Sequence, residues 1–139
     1  MEKVMLNVQT RNLPGVLFIC LQGHLVNGHT TPLREVVNSE LAKISSPARR
    51  FQNSVQTIVL DFSRVNTVDA GGLGALLELR AQIQSHGIDF KFMNVNRLIG
   101  MVFKITRLDT VFEISSAAEL LPATSHSRRV TLAELASCA

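Results

Sequence analysis

A continuous apolar segment that leads into a glycine-rich helix start constrains this chain more than any other feature. The segment is TIVLDF, residues 57–62, which is typical of a strand buried on both faces of a parallel sheet. Beyond it, apolar residues recur at helical spacing at Leu73, Leu76, Leu77 and Ala81. The helix nevertheless begins with glycines at 71, 72 and 74, and each costs roughly 1 kcal/mol of helix propensity relative to alanine. A contact at the start of this helix must therefore require backbone without side chains.

The remaining segments alternate between strand and helix patterns. Thr31 followed by Pro32 is a typical helix start, and Leu98, Val102 and Ile105 mark a later helix. The predicted strands are residues 4–10, 16–23, 57–62, 88–95 and 110–114, and the predicted helices are residues 31–44, 71–86, 98–105 and a short one from 116. This order predicts a single α/β domain with a mixed, mostly parallel sheet of about five strands, the first two a hairpin, packed against about four helices.

Length and composition set the domain organisation. The chain has 139 residues, which suits one domain, and we place it at residues 1–122 with a basic, polar tail at 123–139. No apolar segment reaches the roughly 18 residues of a membrane span, and the first residues lack the apolar core of a signal peptide. Cys20 and Cys138 do not indicate a disulfide framework. We therefore expect a cytoplasmic protein.

The positive charge of the chain does not predict nucleic-acid binding. The formal net charge is +3, but the densest basic groups, at residues 49–50 and 128–129, are short and far apart in the sequence. The chain has no Trp or Tyr, so aromatic platforms for base stacking would have to come from phenylalanines in strand and core patterns. A mild positive charge is common among globular proteins.

The sequence lacks a recognisable set of catalytic or metal-binding residues. It has no phosphate-binding G-x-x-x-x-G-K-[ST] loop, and Leu77 stands at the third glycine position of a dinucleotide fingerprint. His24 and His29 have no usual metal-ligand spacing. Asp61 and Asp69 could serve as an acid–base pair, but we expect Asp69 to cap the glycine-led helix and Asp61 to accept hydrogen bonds from loop amides. The prediction is no enzyme, no cofactor and no metal.

Residues 57–79, TIVLDFSRVNTVDAGGLGALLEL, resemble the signature of the STAS family, domains found in sulfate transporters and anti-sigma factor antagonists. The usual pattern is a strand ending in Asp-Leu-Ser, a short loop, and Asp-Ser-Ser-Gly-Leu-Gly at the start of a helix. The positions that match are Asp61, Ser63, Asp69, Gly72, Leu73 and Gly74. The similarity covers about residues 4–122, with Arg107 at a position where the family usually has glycine.

The resemblance implies a switch whose chemistry this chain lacks. In the antagonists, the second serine of the motif is phosphorylated by an anti-sigma kinase, and only the unphosphorylated protein binds the anti-sigma factor. Ala70 and Gly71 stand at the two serine positions, so the expected position, Gly71, has no phosphoacceptor hydroxyl. Thr67 is the nearest alternative acceptor, although we expect it to be an inward loop residue. Val26 replaces an acidic residue that commonly lies beside the switch serine.

The family therefore implies a bacterial, non-catalytic binding module that regulates transcription by docking a GHKL-type anti-sigma kinase. The predicted partner-binding residues are Leu25, Val26, Asn27, Asp69, Ala70, Gly71, Gly72, Leu73 and Gly74. One alternative is an accessory subunit of an ABC-type transporter or of a stress-sensing complex. A second is a small-ligand sensor that uses the helix start as an anion site, against which the Asp69 cap argues. Homodimer formation stays open.

The glycines themselves have two interpretations. Gly72 and Gly74 could allow the helix to start sharply and pack closely on the sheet. For Gly71, close packing within the chain and a bare surface for a partner's helix are equally good explanations.

Overall fold

The computed structural model describes residues 6–45 and 55–115. Its strands are β1 (Asn7–Leu13), β2 (Val16–Leu25), β3 (Thr57–Val68), β4 (Asp89–Met93) and β5 (Glu113–Ser115), and its helices are α1 (Thr31–Ser45), α2 (Ala70–Ser85) and α3 (Arg97–Ile105). A 3-10 turn at Leu108–Thr110 precedes β5. The predicted helix from Ser116 and the predicted tail at 123–139 lie outside the described residues.

The five strands form one mixed sheet in the order β1-β2-β3-β4-β5. β1 and β2 are an antiparallel hairpin, closed at Leu13 and Val16 by a turn in which Gly15 has a φ of 76°. The pairs β2–β3, β3–β4 and β4–β5 are parallel. The predicted fold is confirmed. Because the parallel strands end at the same edge, all three helices begin at that edge.

The main core lies between the sheet and the helices. Alternate residues of β3 point to opposite faces, so that Ile58, Leu60 and Phe62 join the core that also holds the buried residues of α1, α2 and α3. A smaller cluster of Phe18, Val59 and Met93 lies apart from it. Each parallel crossover moves one strand further along the sheet in the same direction. Because such crossovers are right-handed, their helices lie on the same face of the sheet.

Two elements differ from prediction in ways that affect the helix starts. β3 continues six residues past the predicted end, because Val65 and Val68 are buried and the strand keeps its parallel pairing as far as Leu25 of β2. In α2, Leu77 and Ala81 do not belong to the inward stripe. The buried large apolar side chains of this helix are Leu73, Leu76, Leu79 and Ile83.

Cys20 corrects the expectation for the cysteines. This residue of β2 is disulfide-bonded, so the expectation that the cysteines do not indicate a disulfide is wrong, and cysteine usage does not support the expected cytoplasmic location. The spacing of two cysteines in a sequence says nothing about the distance between them after folding.

Candidate functional site

Asp69 organises the start of α2. It directly follows β3 with an extended backbone, and its Oδ1 accepts a hydrogen bond from the Gly72 amide at 2.9 Å. The same carboxylate accepts the Asn27 amide, at 3.0 Å to Oδ1 and 3.1 Å to Oδ2. These backbone hydrogen bonds, from Gly72 first and Asn27 second, hold the pKa of Asp69 below its ordinary value. Asp69 is the helix cap, as predicted, and it also fixes the loop after β2.

The loop after β2 explains two of the glycines. A Cβ at Gly72 would lie 2.0 Å from the carbonyl oxygen of Leu25, and one at Gly71 would lie 2.5 Å from Cβ and 2.7 Å from Cα of Asn27. Contacts that short do not occur for real side chains. The first turn of α2 is therefore bare because the chain's own loop packs against it.

Gly74 has the opposite environment. A Cβ at Gly74 would meet nothing within 4 Å, so the expectation that this glycine packs closely on the sheet is wrong. It lies instead on the outward side of α2, where it leaves open space.

The outward side of α2 is small and apolar. Ala70, Gly74, Leu77 and Ala81 recur at intervals of four, three and four residues, which places them along one side of the helix, and we call them the α2 face. Ala70 and Ala81 are exposed, Gly74 is half-buried, and Leu77 is 38% exposed. Sequence reasoning missed Leu77 and Ala81 as surface residues, although their spacing from Ala70 and Gly74 is the signal that identifies them.

The predicted partner-binding residues fall into two groups. The first group is buried under the accessible surface and consists of Leu25, Gly72 and Leu73. The others are at least partly accessible around the start of α2: Asn27, Asp69 and Ala70 are exposed, and Val26, Gly71 and Gly74 are half-buried. The structure thus brings the two sequence segments together at one place, through the hydrogen bonds from Asn27 and Gly72 to Asp69.

Side chains of α1 and α2 hold the loop from its other end. The Arg34 guanidinium forms an ion pair with Glu78 of α2 and donates from Nε to the Thr30 hydroxyl at 3.1 Å. One turn further along, Gln82 Nε2 donates to Asn38 Oδ1 at 2.6 Å. Since the segment of residues 26–30 lies between β2 and these contacts, it is fixed at both ends, and the surface beside α2 is preformed.

Asp61 is held by hydrogen bonds within the fold and does not form an acid–base pair with Asp69. It is buried in β3, and its Oδ1 accepts the Ser63 amide at 2.9 Å and the Asn94 side-chain amide at 3.0 Å. Asn94 directly follows β4 and has a left-handed φ of 57°, a conformation that asparagine tolerates better than most residues. Asp61 is a hydrogen-bond acceptor, as predicted, but its backbone partner Ser63 belongs to β3 and not to a loop. The hydrogen bond from Asn94 joins the middle of β3 to the residue that follows β4.

The remaining sequence candidates are Thr67, the alternative acceptor, and a possible metal site. Thr67 is an exposed residue of β3 that pairs with His24, so the expectation of an inward loop position is wrong. Within residues 6–45 and 55–115, no group of three or more His, Cys, Asp or Glu side chains is placed to hold a metal ion. None of the three described helices has the length and apolarity needed to cross a membrane.

Comparison with known proteins identifies the fold. The family model described as the STAS domain matches residues 7–120. A putative anti-sigma factor antagonist from Thermotoga maritima superposes with a TM-score of 0.63 at 22% identity, covering 81% of this chain and 89% of that one. An anti-sigma factor antagonist from Mycobacterium paratuberculosis gives 0.62 at 18%, covering 78% and 84%. A sulfate transporter family protein from Wolinella succinogenes gives 0.57 at 18%, covering 78% and 84%.

Proposed function

The chain belongs to the STAS domain family, and we propose that it is an anti-sigma factor antagonist that stays in a docking-competent state. In this proposal it is a bacterial, cytoplasmic, non-catalytic regulator that binds a GHKL-type anti-sigma kinase. Docking takes place through the α2 face and the adjoining segment of residues 26–28. The observation that carries the proposal is a preformed, small apolar surface at the start of α2, which has no hydroxyl at Ala70 or Gly71.

Helix packing supports this use of the α2 face. Two helices approach most closely where their contact residues are small, and interaxial distances of about 8–10 Å depend on those side chains. Ala70 and Gly74 offer such a position, and Leu77 adds an apolar anchor one turn later. The loop segment is held by Asp69 and Arg34. A partner helix therefore meets a surface that needs little ordering when it binds.

The absence of a hydroxyl at Ala70 and Gly71 determines how the proposed complex could be regulated. In a phosphorylated relative, a phosphate at the start of this helix adds about −1.5 to −2 charge and considerable bulk to a close contact. This chain has no acceptor at that place, so an anti-sigma kinase cannot reverse the complex by phosphorylating it there. Removal of the antagonist, or a competing partner, would then have to end the interaction.

The experiment is titration of the full chain with the cognate GHKL-type anti-sigma factor, with and without ATP. We expect equal affinity in both conditions and no added phosphate in the intact mass of the chain. Gly74→Arg should abolish binding because it fills the open space on the α2 face, while Asn12→Arg, which changes an exposed residue of β1 away from this face, should bind normally. Phosphorylation within residues 66–74, or full binding by Gly74→Arg, would contradict the proposal.

An accessory subunit of a larger assembly is a second candidate. The similarity in fold to a sulfate transporter family protein and the absent phosphoacceptor favour it. A permease and an ATPase encoded beside the gene, together with recovery of an ABC-type ATPase on the purified chain, would identify this role. A sigma factor and a histidine-kinase-like ATPase would identify the antagonist. The anion-sensor alternative is disfavoured because the Asp69 carboxylate already accepts the Gly72 amide.

A further inference from the structure

The outward side of α3 carries large apolar residues that the fold does not use. Leu98 is 63% exposed, Met101 50% and Ile105 77%. Their spacing of three and four residues places them along one side of the helix, while the buried residues Ile99 and Phe103 lie on the other side. Isolated exposed apolar residues are ordinary, but a contiguous apolar surface marks an interaction site.

Contacts with the rest of the domain fix the orientation of α3, so the helix cannot rotate about its axis to bury the stripe formed by Leu98, Met101 and Ile105. Asn96 caps the helix by accepting the Ile99 amide at 2.8 Å, and its side chain donates to the Val65 carbonyl of β3 at 3.4 Å. Phe103 packs in an aromatic cluster, with ring centroids 5.8 Å from Phe92 and 5.4 Å from Phe112. Turning the stripe inward would expose Ile99 and Phe103 and break both sets of contacts.

The two charged side chains of α3 are both positive. Arg97 precedes Met101 by four residues and Lys104 follows it by three, so both are neighbours of the stripe on the helix surface. Both are exposed, and α3 contains no carboxylate. The ion pairs found among the described residues involve other side chains. The surface is therefore complementary to an apolar segment that carries acidic residues.

The same charges argue against a second copy of this chain as the occupant. A two-fold, antiparallel pairing of α3 with its copy would place Arg97 of one molecule near Lys104 of the other. Like charges brought together at an interface disfavour that pairing. An extended strand is also a poor occupant, because a helix side offers none of the unpaired backbone groups that strand addition uses.

We propose that the α3 stripe (Leu98, Met101 and Ile105, flanked by Arg97 and Lys104) binds an acidic amphipathic helix of the partner protein. This inference rests on the proposed function, since the helix is taken to belong to the same anti-sigma factor. β3 and β4 are parallel neighbours, so α2 and α3 begin at the same edge of the sheet, and Asn96 is hydrogen-bonded to the strand that ends just before Asp69. One partner can therefore contact both helices.

The test measures the affinity of full-length variants for the anti-sigma factor. We expect Leu98→Ser with Ile105→Ser, and separately Arg97→Gln with Lys104→Gln, to weaken binding by about tenfold or more each. The charge variant should also lose part of the salt dependence of binding. Lys43→Gln removes a positive charge at an exposed residue of α1 and is the control, which should change neither quantity. The altered side chains are exposed, so the thermal midpoints should stay close to that of the natural sequence.

The outcomes separate this inference from the function it rests on. If the anti-sigma factor binds, Gly74→Arg abolishes binding and both α3 variants bind normally, the function stands and the α3 inference is overturned. If no anti-sigma factor binds the natural sequence, the proposed function is refuted and the α3 inference, which names the same partner, is overturned with it. Concentration-dependent dimers that the serine variant abolishes would instead identify a second copy as the occupant. Stripe-dependent binding to vesicles of anionic lipid would identify a membrane. Either result would overturn the inference.

Discussion

Two glycine-to-alanine substitutions in the first turns of α2 test the packing of the loop on this helix, because the same chemical change should have opposite effects. At Gly72, the new methyl group would lie 2.0 Å from the backbone oxygen of Leu25. At Gly74, the methyl group would meet nothing within 4 Å. The two positions are two residues apart in one helix, so each serves as the control for the other.

The magnitudes follow from these contacts. The oxygen of Leu25 belongs to the backbone and must be displaced with the end of β2, and overpacking of this kind costs about 1–3 kcal/mol. The shift also loosens the hydrogen bond from Asn27 to Asp69, and one to a charged group is worth about 1.5–3 kcal/mol. Alanine regains roughly 1 kcal/mol of helix propensity. Gly72→Ala should thus lower the free energy of unfolding by about 1.5–5 kcal/mol, and Gly74→Ala should raise it by up to about 1 kcal/mol.

Urea denaturation followed by far-UV circular dichroism measures both changes. The midpoints should move in opposite directions, with the slope of the unfolding free energy unchanged. Equal shifts for the two variants, or a stabilised Gly72→Ala protein, would refute the conclusion that Leu25 and Asn27 require the bare backbone of α2.

Three further predictions follow from other contacts. Asp69→Asn keeps a capping acceptor but removes a carboxylate whose pKa is lowered in the folded protein. The variant should therefore be less stable than the natural sequence by the largest amount above the ordinary Asp pKa of 3.8, and this difference should shrink as the pH falls below that value. A difference independent of pH in acid denaturation would contradict this. Arg107→Gly should leave stability unchanged or raise it by up to about 1 kcal/mol, because Arg107 has a left-handed φ of 61°; a lower urea midpoint would refute the strain argument. Phe103→Ala should lower the free energy of unfolding by about 3–5 kcal/mol, since this ring is fully buried among other phenylalanines; a calorimetric midpoint near that of the natural sequence would show that the aromatic cluster does not support α3.

The order of elements could be predicted from the sequence because it depends on local signals. Turn residues, the Thr31–Pro32 helix start and the periodicity of apolar residues each act over a few positions. The Asp69 cap was predictable for the same reason, since its acceptor and the Gly72 amide are three residues apart. The end of β3 was not, because residues 63–68 become strand through pairing with β2, a contact between distant parts of the sequence.

The reason for the glycines could not be predicted from the sequence either, because it also depends on contacts between distant parts of the chain. Gly71 and Gly72 face Asn27 and Leu25, which lie more than 40 residues earlier in the chain, whereas Gly74 faces open space. All three look alike as residues that weaken a helix. Similarly, α3 has apolar residues on two sides, and the Asn96 cap together with the Phe103 cluster decides which side is buried. Only the folded contacts separate the glycines required within the chain from the one that faces open space.

The most direct measurement for the account as a whole is a map of backbone amide NMR shifts in the isotope-labelled chain as the anti-sigma factor is added. Docking on the α2 face predicts that the largest changes lie at residues 26–28 and along Ala70, Gly74 and Leu77, with the outer edge of β1 unaffected. Complex formation that shifts β1 while residues 26–28 and 70–77 keep their positions would contradict the account, because the partner would then be bound to a different part of the molecule.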